Sequence, residues 1–255
     1  LPDAVLSPPV LIGTAVLSAA ALTAAARRSR SVLGYREAPL HGAATAFIFA
    51  AQALNFPLGA GTSAHLFGAT LSVVLLGPAS AMLVMFAVLL IQALLFQDGG
   101  ITALGANVLN LAVLAVLVSW ALFRWISALA VGPRRILIAA GVAGYCSTAA
   151  VGVAVALELA LSGLVPAGPA LALVGGGHAV AGLAEAAITV AILAVVARGR
   201  PELLAGAVPS RPAARRLAWA AVVASAVTIA AAVWLSSSQP DVLEAAAQRL
   251  PGRTP

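Results

Sequence analysis

Four ionisable side chains lie inside long apolar runs of this 255-residue sequence, namely His65, Glu158, His178 and Glu185. Ionisable groups are costly in the interior of a membrane, so each one is a candidate for a functional site. Imidazole rings bind transition metals and carry protons, and carboxylates take part in proton relays. Similar runs also hold neutral amides, at Gln92, Asn107 and Asn110.

His65 follows the polar cluster Gly61-Thr62-Ser63-Ala64 in a run that is also rich in glycine. In such an irregular run a histidine is expected to face a cavity rather than lipid. One interpretation is a metal ligand, and the other is a ring that donates to a nearby carbonyl and stabilises the bundle. The sequence leaves both open. His41 adjoins an arginine-rich loop and is expected at the membrane interface.

His178 and Glu185 are seven residues apart, which places both on one face of a helix. The pair is interpreted as a proton relay, as support for a metal ligand, or as hydrogen bonding between helices. Glu158 is expected near the outer end of a long helix, in contact with solvent.

The composition predicts an integral membrane protein of the all-α class. Hydrophobic residues make up 62% of the chain and charged residues only 9%, against roughly 25% charged in soluble domains. Seven core transmembrane helices and one appended helix are expected from the apolar runs 8–26, 42–56, 58–76, 78–96, 101–125, 136–165, 170–197 and 217–235. The second run is short and the third is interrupted, so these two are expected to form a broken or re-entrant pair.

The arginines predict the orientation and the domain boundaries. Twelve of the 14 follow the first, fifth and seventh runs, which places those loops in the cytoplasm and the amino terminus outside. Residues 1–197 are then the core membrane domain, and 198–216 a cytoplasmic linker. Residues 217–255 form a last helix with an outer tail. Because the arginines lie in short clusters between apolar runs, the net charge of +6 indicates membrane topology and no nucleic-acid partner.

Several classes of chemistry are excluded by missing residues. The sequence has no lysine, hence no Walker A motif, so ATP hydrolysis has to come from a partner. Cys146 is the single cysteine, which rules out an internal disulfide and a Cys-x-x-Cys redox or zinc motif. We therefore expect a transport subunit rather than an enzyme, with no permanent cofactor.

Three segments of the core resemble one family of membrane proteins. They are Asn55-Phe56-Pro57 with Gly61-Thr62-Ser63-Ala64-His65-Leu66, Gln92-Ala93-Leu94 with Gly99-Gly100-Ile101-Thr102-Ala103-Leu104-Gly105-Ala106-Asn107, and His178-Ala179-Val180-Ala181-Gly182-Leu183-Ala184-Glu185. The family is CbiM/NikM, the substrate-capture subunits of ECF-type cobalt and nickel transporters. Gln239-Pro240-Asp241-Val242-Leu243-Glu244 is similar to the small accessory subunit that is fused to some members.

The resemblance implies a function and a metal site. Members capture Ni²⁺ or Co²⁺ as substrate outside the bacterial plasma (inner) membrane, and they work with a transmembrane coupling subunit and two ATPase subunits. Their metal ligands are the terminal amine, the amide nitrogen and imidazole of a second-residue histidine, and the histidine that matches His65. Members begin with Met-His, and this sequence matches from the third residue onward, so a Met-His pair is expected ahead of Leu1. Ser63, Asn107, His178 and Glu185 are candidates to support these ligands.

The chemistry of that ligand set favours nickel. Adjacent amine, amide and imidazole nitrogens close two small chelate rings, and one more imidazole completes a square. Square-planar nitrogen ligation suits Ni(II) or Cu(II) better than zinc or magnesium, and cobalt stays open. The alternative functions are a proton-coupled secondary transporter of a small metabolite, with His178 and Glu185 as its relay, and a scaffold without transport activity.

Overall fold

A computed structural model of the chain describes residues 1–29, 38–53, 56–59, 62–129 and 134–204. The predicted eighth helix, its outer tail and most of the linker lie outside these residues. Nearly all of the predicted core domain is described.

Helices account for most of the described chain. Long runs of alanine, leucine and valine form them, and glycine or proline marks several of their ends. The elements in chain order are α1 Pro8–Ser29, α2 Ala38–Gln52, β1 Phe56–Gly59, β2 Thr62–Ala64, α3 Ala69–Leu76, α4 Pro78–Phe96, α5 Leu104–Ala128, α6 Arg135–Leu161, α7 Ala167–Gly199 and α8 Pro201–Leu204.

Five of the described helices, α1 and α4 to α7, are long and apolar enough to cross a membrane. Their outward surfaces carry large apolar side chains such as Leu95, which is 74% exposed, and Val195, which is 70% exposed. Such surfaces are suited to lipid, and helices are the elements whose backbone groups are satisfied there. The predicted all-α, multi-pass membrane fold is confirmed.

Three of these helices contain a wider, π-helical stretch. The stretches are Gln92–Phe96 at the end of α4, Val108–Leu114 near the start of α5 and Leu171–Gly175 near the start of α7. All three lie toward the same end of the bundle, where the amino-terminal residues also lie. We call this the amino-terminal end.

The third predicted run, 58–76, is interrupted as expected, and the interruption is a hairpin of two short strands. β1 and β2 form an antiparallel hairpin in which Phe56 pairs with Ala64, and only Ala69–Leu76 is helical. Proline and glycine around the hairpin disfavour a helix, and the paired strands satisfy part of their own backbone. Helix α3 begins after this irregular stretch and is buried over its first five residues. The second and third runs therefore form a broken pair inside the protein, as the sequence predicts.

Two backbone contacts define the amino-terminal end. The N–H of Gly100, in the loop between α4 and α5, donates to the carbonyl of Leu1 at 2.9 Å. The N–H of Ser7 donates to the hydroxyl of Ser162, just after α6, at 3.0 Å. Residues 1–7 thus lie across the ends of α4, α5 and α6.

Helices α6 and α7 are in close contact through glycine. A Cβ added to Gly152 would collide with Cβ of His178 and would lie 2.8 Å from its Cγ, whereas one on Gly176 would meet nothing within 4 Å. We expect Gly152→Ala to destabilise the protein by about 1 to 3 kcal/mol through overpacking. Gly176→Ala is the matched control and is expected to be neutral or slightly stabilising. Melting temperatures in detergent measure both, and equal values would contradict this packing.

Candidate metal-binding region

The buried carboxylate of Glu185 binds the backbone just after His65. It accepts hydrogen bonds from the N–H of Phe67 at 2.7 Å and from the N–H of Gly68 at 3.1 Å. Gly68 immediately precedes α3, and the first N–H groups of a helix have no partner within the helix. Glu185 therefore caps the positive end of a buried helix, which explains how a carboxylate is tolerated inside the bundle.

Two glutamines also support this stretch, one directly and one through the other. Gln52 of α2 donates from Nε2 to the carbonyl of Phe67 at 2.7 Å, and Gln92 of α4 donates to Oε1 of Gln52 at 2.8 Å. Gly68 has a positive φ of 79°, and a Cβ there would lie 3.0 Å from Cγ2 of Ile48. Helices α2 and α7 thus bind residues 65–68, which we call the histidine segment, and α4 supports them through Gln52.

The ring of His65 is in contact with a row of aromatic rings. Its centroid lies 5.7 Å from that of Phe67, which in turn lies 5.9 Å from that of His178. Nδ1 of His65 is 3.1 Å from the carbonyl oxygen of Leu66. A carbonyl only accepts, so Nδ1 carries the proton and Nε2 keeps the lone pair that a metal ligand uses.

The histidine and glutamate of α7 do face the same segment, as their spacing predicts. His178 contacts the ring of Phe67, and Glu185 accepts a hydrogen bond from the backbone N–H of Phe67. Among the hydrogen bonds of the described residues, none joins these two side chains directly. Nδ1 of His178 lies 2.9 Å from the carbonyl of Val174, one turn earlier in its own helix.

Asn107 binds both backbone groups of Leu1. Its Oδ1 accepts from the Leu1 nitrogen at 2.7 Å, and its Nδ2 donates to the Leu1 carbonyl at 3.0 Å. The nitrogen can donate in this way whether it is a terminal amine or a peptide amide. A Cβ on Gly100 would collide with Asp3, so the loop fits closely around this segment. Asn107 is therefore a positioning residue for the amino-terminal segment.

Asp3 fixes the same segment two residues further on. Its Oδ1 accepts from the hydroxyl of Thr102 at 2.5 Å and from the backbone N–H of Thr102 at 2.7 Å. These hydrogen bonds stabilise the carboxylate and hold the pKa of Asp3 below its ordinary value of 3.8.

We expect Thr102→Val to raise the pKa of Asp3 toward 3.8, because the hydroxyl of Thr102 is the largest cause of the lowering. A lowered pKa stabilises the fold at pH values above the ordinary pKa of the group. This stabilisation is lost as the pH falls through the lowered pKa. Titration of the Asp3 carboxyl by NMR measures the change. Thr23→Val is the control, since Thr23 bonds within α1 to Ala19. An unchanged Asp3 pKa in Thr102→Val would contradict the assignment.

The expectation that Glu158 is solvated is wrong. Its side chain is buried, with 7% exposed, and it accepts a hydrogen bond from Nδ2 of Asn110 at 2.9 Å. The reason is that residues 1–7 cross the end of α6, where Ser7 binds Ser162. Ser63 lies in β2 opposite Pro57, and its side chain is not among those described.

Similarity to known proteins shows which family the chain represents. Residues 1–203 match the family model CbiM, described as the cobalt uptake substrate-specific transmembrane region. The chain belongs to the CbiM family. The resemblance seen in the sequence is thereby confirmed, and the chain is a multi-pass membrane protein of a nickel and cobalt transport family.

Individual CbiM-family relatives and solved structures agree. A protein of Haloquadratum walsbyi, named provisionally as a metal transport protein, is 40% identical over 206 residues, covering 80% of this chain and 92% of that protein. The fused nickel transport protein NikMN of Rhodobacter capsulatus is 34% identical over 246 residues, which cover 89% of this chain and 70% of that protein. A crystal structure of a truncated transition metal transporter is 31% identical, with a TM-score of 0.71 over 78% of this chain and 98% of that one.

Sequence reasoning missed Gln52, which holds the histidine segment of this CbiM-family protein. Gln52 was not singled out, although it is an amide within the apolar run 42–56, and that was a signal. Gln92 was recognised as polar, but its partner was not predicted. Within the described residues, no group of three or more histidine, cysteine, aspartate or glutamate side chains is arranged to hold a metal ion.

Proposed function

We propose that this protein captures a divalent transition metal outside the membrane and delivers it inward, as the substrate-specific subunit of an ATP-driven ECF-type importer. Nickel is favoured and cobalt is the alternative. Membership of the CbiM family supports transport of these metals. The observation that carries the proposal is the way the segment of His65 is held, with Glu185 and Gln52 binding the N–H and the carbonyl of Phe67.

The proposed ligands are His65 and a Met-His pair ahead of Leu1. The described side chains form no cluster of three or more metal ligands. The terminal amine, the amide nitrogen and the imidazole of that pair would supply the missing nitrogen ligands. Asn107 supports the arrangement because it holds the nitrogen and the carbonyl of Leu1 in place. Glu185 supports it through the histidine segment, and His178 through the ring of Phe67. Ser63 precedes His65 by two residues and is proposed on the resemblance alone.

Nitrogen ligands of this kind select the metal by geometry. A chelate of amine, amide and imidazole is nearly flat, and the imidazole of His65 would occupy the fourth corner. Ni(II) accepts a square of nitrogens, and a protein-imposed site can also accept cobalt. The metal is the substrate in this proposal, and no permanent cofactor is required.

The remaining parts of the proposal concern orientation and partners. The arginine pattern supports an amino terminus outside the bacterial plasma membrane. Without a Walker A lysine, the subunit needs a transmembrane coupling subunit and two ATPase subunits to use ATP. Residues 198–216 would be the cytoplasmic linker. Residues 217–255 would be an accessory helix and tail, and the match to fused NikMN over 89% of the chain supports this.

Calorimetric titration with Ni²⁺ and Co²⁺ tests the proposal. Protein carrying Met-His ahead of Leu1 is compared with a form that starts at Leu1. In the second form Pro2 has no amide proton to lose, so the chelate cannot form and we expect very weak binding. Tight binding only in the first form, with an absorption spectrum typical of square-planar Ni(II), supports the site. Equally tight binding in both would remove the terminus from it.

A further inference from the structure

We propose that Glu158, paired with Asn110, is the buried counter-charge of the captured cation. The inference rests on the proposed function, and it adds a residue that neither the resemblance nor the ligand set includes. It assigns Glu158 an electrostatic role and no direct bond to the metal.

The contacts of α5 place Glu158 directly below the amino-terminal segment. Asn107 binds Leu1, and Asn110, about one helical turn deeper, binds Glu158. Ser7 and Ser162 close the same end above Glu158. Glu158 therefore lies beneath the segment to which the proposed Met-His pair is attached.

The contacts of α6 place Glu158 above the histidines. Gly152 of α6 touches His178, and Glu158 is six residues away along the same helix, which is about 9 Å. His178 is linked to His65 through the ring of Phe67. Glu158 thus lies between Leu1 and His178, and the ring of His178 belongs to the row of rings that ends at His65.

The charge of the proposed complex explains why a carboxylate is needed at that depth. A divalent cation bound by one deprotonated amide, one amine and two neutral imidazoles has a net charge of +1, and the amide proton leaves to the solvent. An uncompensated charge is costly in a low-dielectric interior. Glu185 is already used by two N–H groups at the start of α3, and Asp3 is exposed and bound to Thr102. One carboxylate at Glu158 makes the complex neutral.

The first test replaces the charge and keeps the hydrogen bond. Glu158→Gln can still accept from Asn110, so a purely structural role predicts no loss of metal affinity. For an illustrative separation of about 8 Å and an effective dielectric constant of about 20, the attraction between two unit charges corresponds to roughly 30-fold in affinity. We expect Glu158→Gln, in protein carrying Met-His, to bind Ni²⁺ weaker by roughly 10- to 100-fold. Affinity equal to that of the parent protein would overturn the proposal.

The second test moves the charge to the other member of the pair. Asn110→Asp combined with Glu158→Gln restores one carboxylate to the same pair, and we expect affinity within about threefold of the parent, since only the position of the charge changes. Equally weak binding by this swapped protein and by Glu158→Gln would overturn the electrostatic role.

A third variant covers the case in which Glu158→Gln does not fold. Asn110→Leu with Glu158→Met replaces the buried pair by apolar groups of similar volume, an exchange that often leaves stability unchanged. It should bind Ni²⁺ weaker than the parent protein by the same roughly 10- to 100-fold, since it also lacks the charge, and parent-like affinity would again overturn the proposal. Failure of the parent itself to bind metal would instead contradict the proposed function.

Discussion

His65→Ala is expected to abolish nickel and cobalt binding while the helical bundle stays folded. The substitution removes the fourth nitrogen of the proposed square. The loss should therefore exceed the roughly 10- to 100-fold that removal of a supporting hydrogen bond costs a metal site. The backbone of the histidine segment keeps its bonds to Glu185 and Gln52, neither of which involves the His65 ring. Calorimetric titration of protein carrying Met-His measures the change.

His41→Ala is the matched control for this experiment. His41 lies in the first turn of α2, and Gln52, which contacts the histidine segment, is the last residue of that helix. We expect parent-like affinity in His41→Ala and a circular dichroism spectrum in both variants that matches the parent. Unchanged tight binding in His65→Ala would remove His65 from the site. His178 would then be the next histidine to test.

Glu185→Ala is expected to cause the largest loss of stability of any single substitution discussed for this protein. It leaves the N–H groups of Phe67 and Gly68 buried without an acceptor and removes the cap of α3. Unsatisfied buried donors and the loss of a buried charged partner each cost several kcal/mol, so we expect a loss of about 3 to 5 kcal/mol. Metal affinity should fall as well, because the histidine segment is no longer fixed. Thermal unfolding in detergent measures the first effect and titration the second.

Two further variants show whether the loss comes from the missing acceptor of Glu185 or from any change on this face of α7. Glu185→Gln keeps one acceptor oxygen and should be intermediate in stability. Thr189→Val changes a fully buried position one turn along α7, where the hydroxyl has no hydrogen-bond partner among the described residues. We expect Thr189→Val to be neutral or slightly stabilising. A loss in Thr189→Val as large as that in Glu185→Ala would show that this face of α7 is sensitive to any change.

The sequence was sufficient to predict where the membrane-spanning helices are. Apolar runs located α1 and α4 to α7, because length and composition decide whether a helix can cross a bilayer. The cost of burying charge singled out His65 and Glu185. The hairpin at Phe56–Ala64 was not predicted, because an apolar run rich in glycine is compatible with a pair of strands as well as with a helix.

Other features depend on contacts between distant parts of the chain. Glu158 is buried because residues 1–7 cover the end of α6, and nothing near position 158 records that contact. The bond from Gln52 to Phe67 joins the end of α2 to a segment beyond the hairpin. Spacing along one helix predicted that His178 and Glu185 share a face, but it could not tell that each has a separate partner.

The π-helical stretches have a consequence for how the bundle deforms. All three lie toward the amino-terminal end, in α4, α5 and α7, while the remainder of each helix is regularly wound. A π turn is a point at which a helix bends, since its hydrogen-bond ladder shifts by one residue there. We therefore expect α4, α5 and α7 to bend more easily near the amino-terminal end of the bundle than along the rest of their lengths.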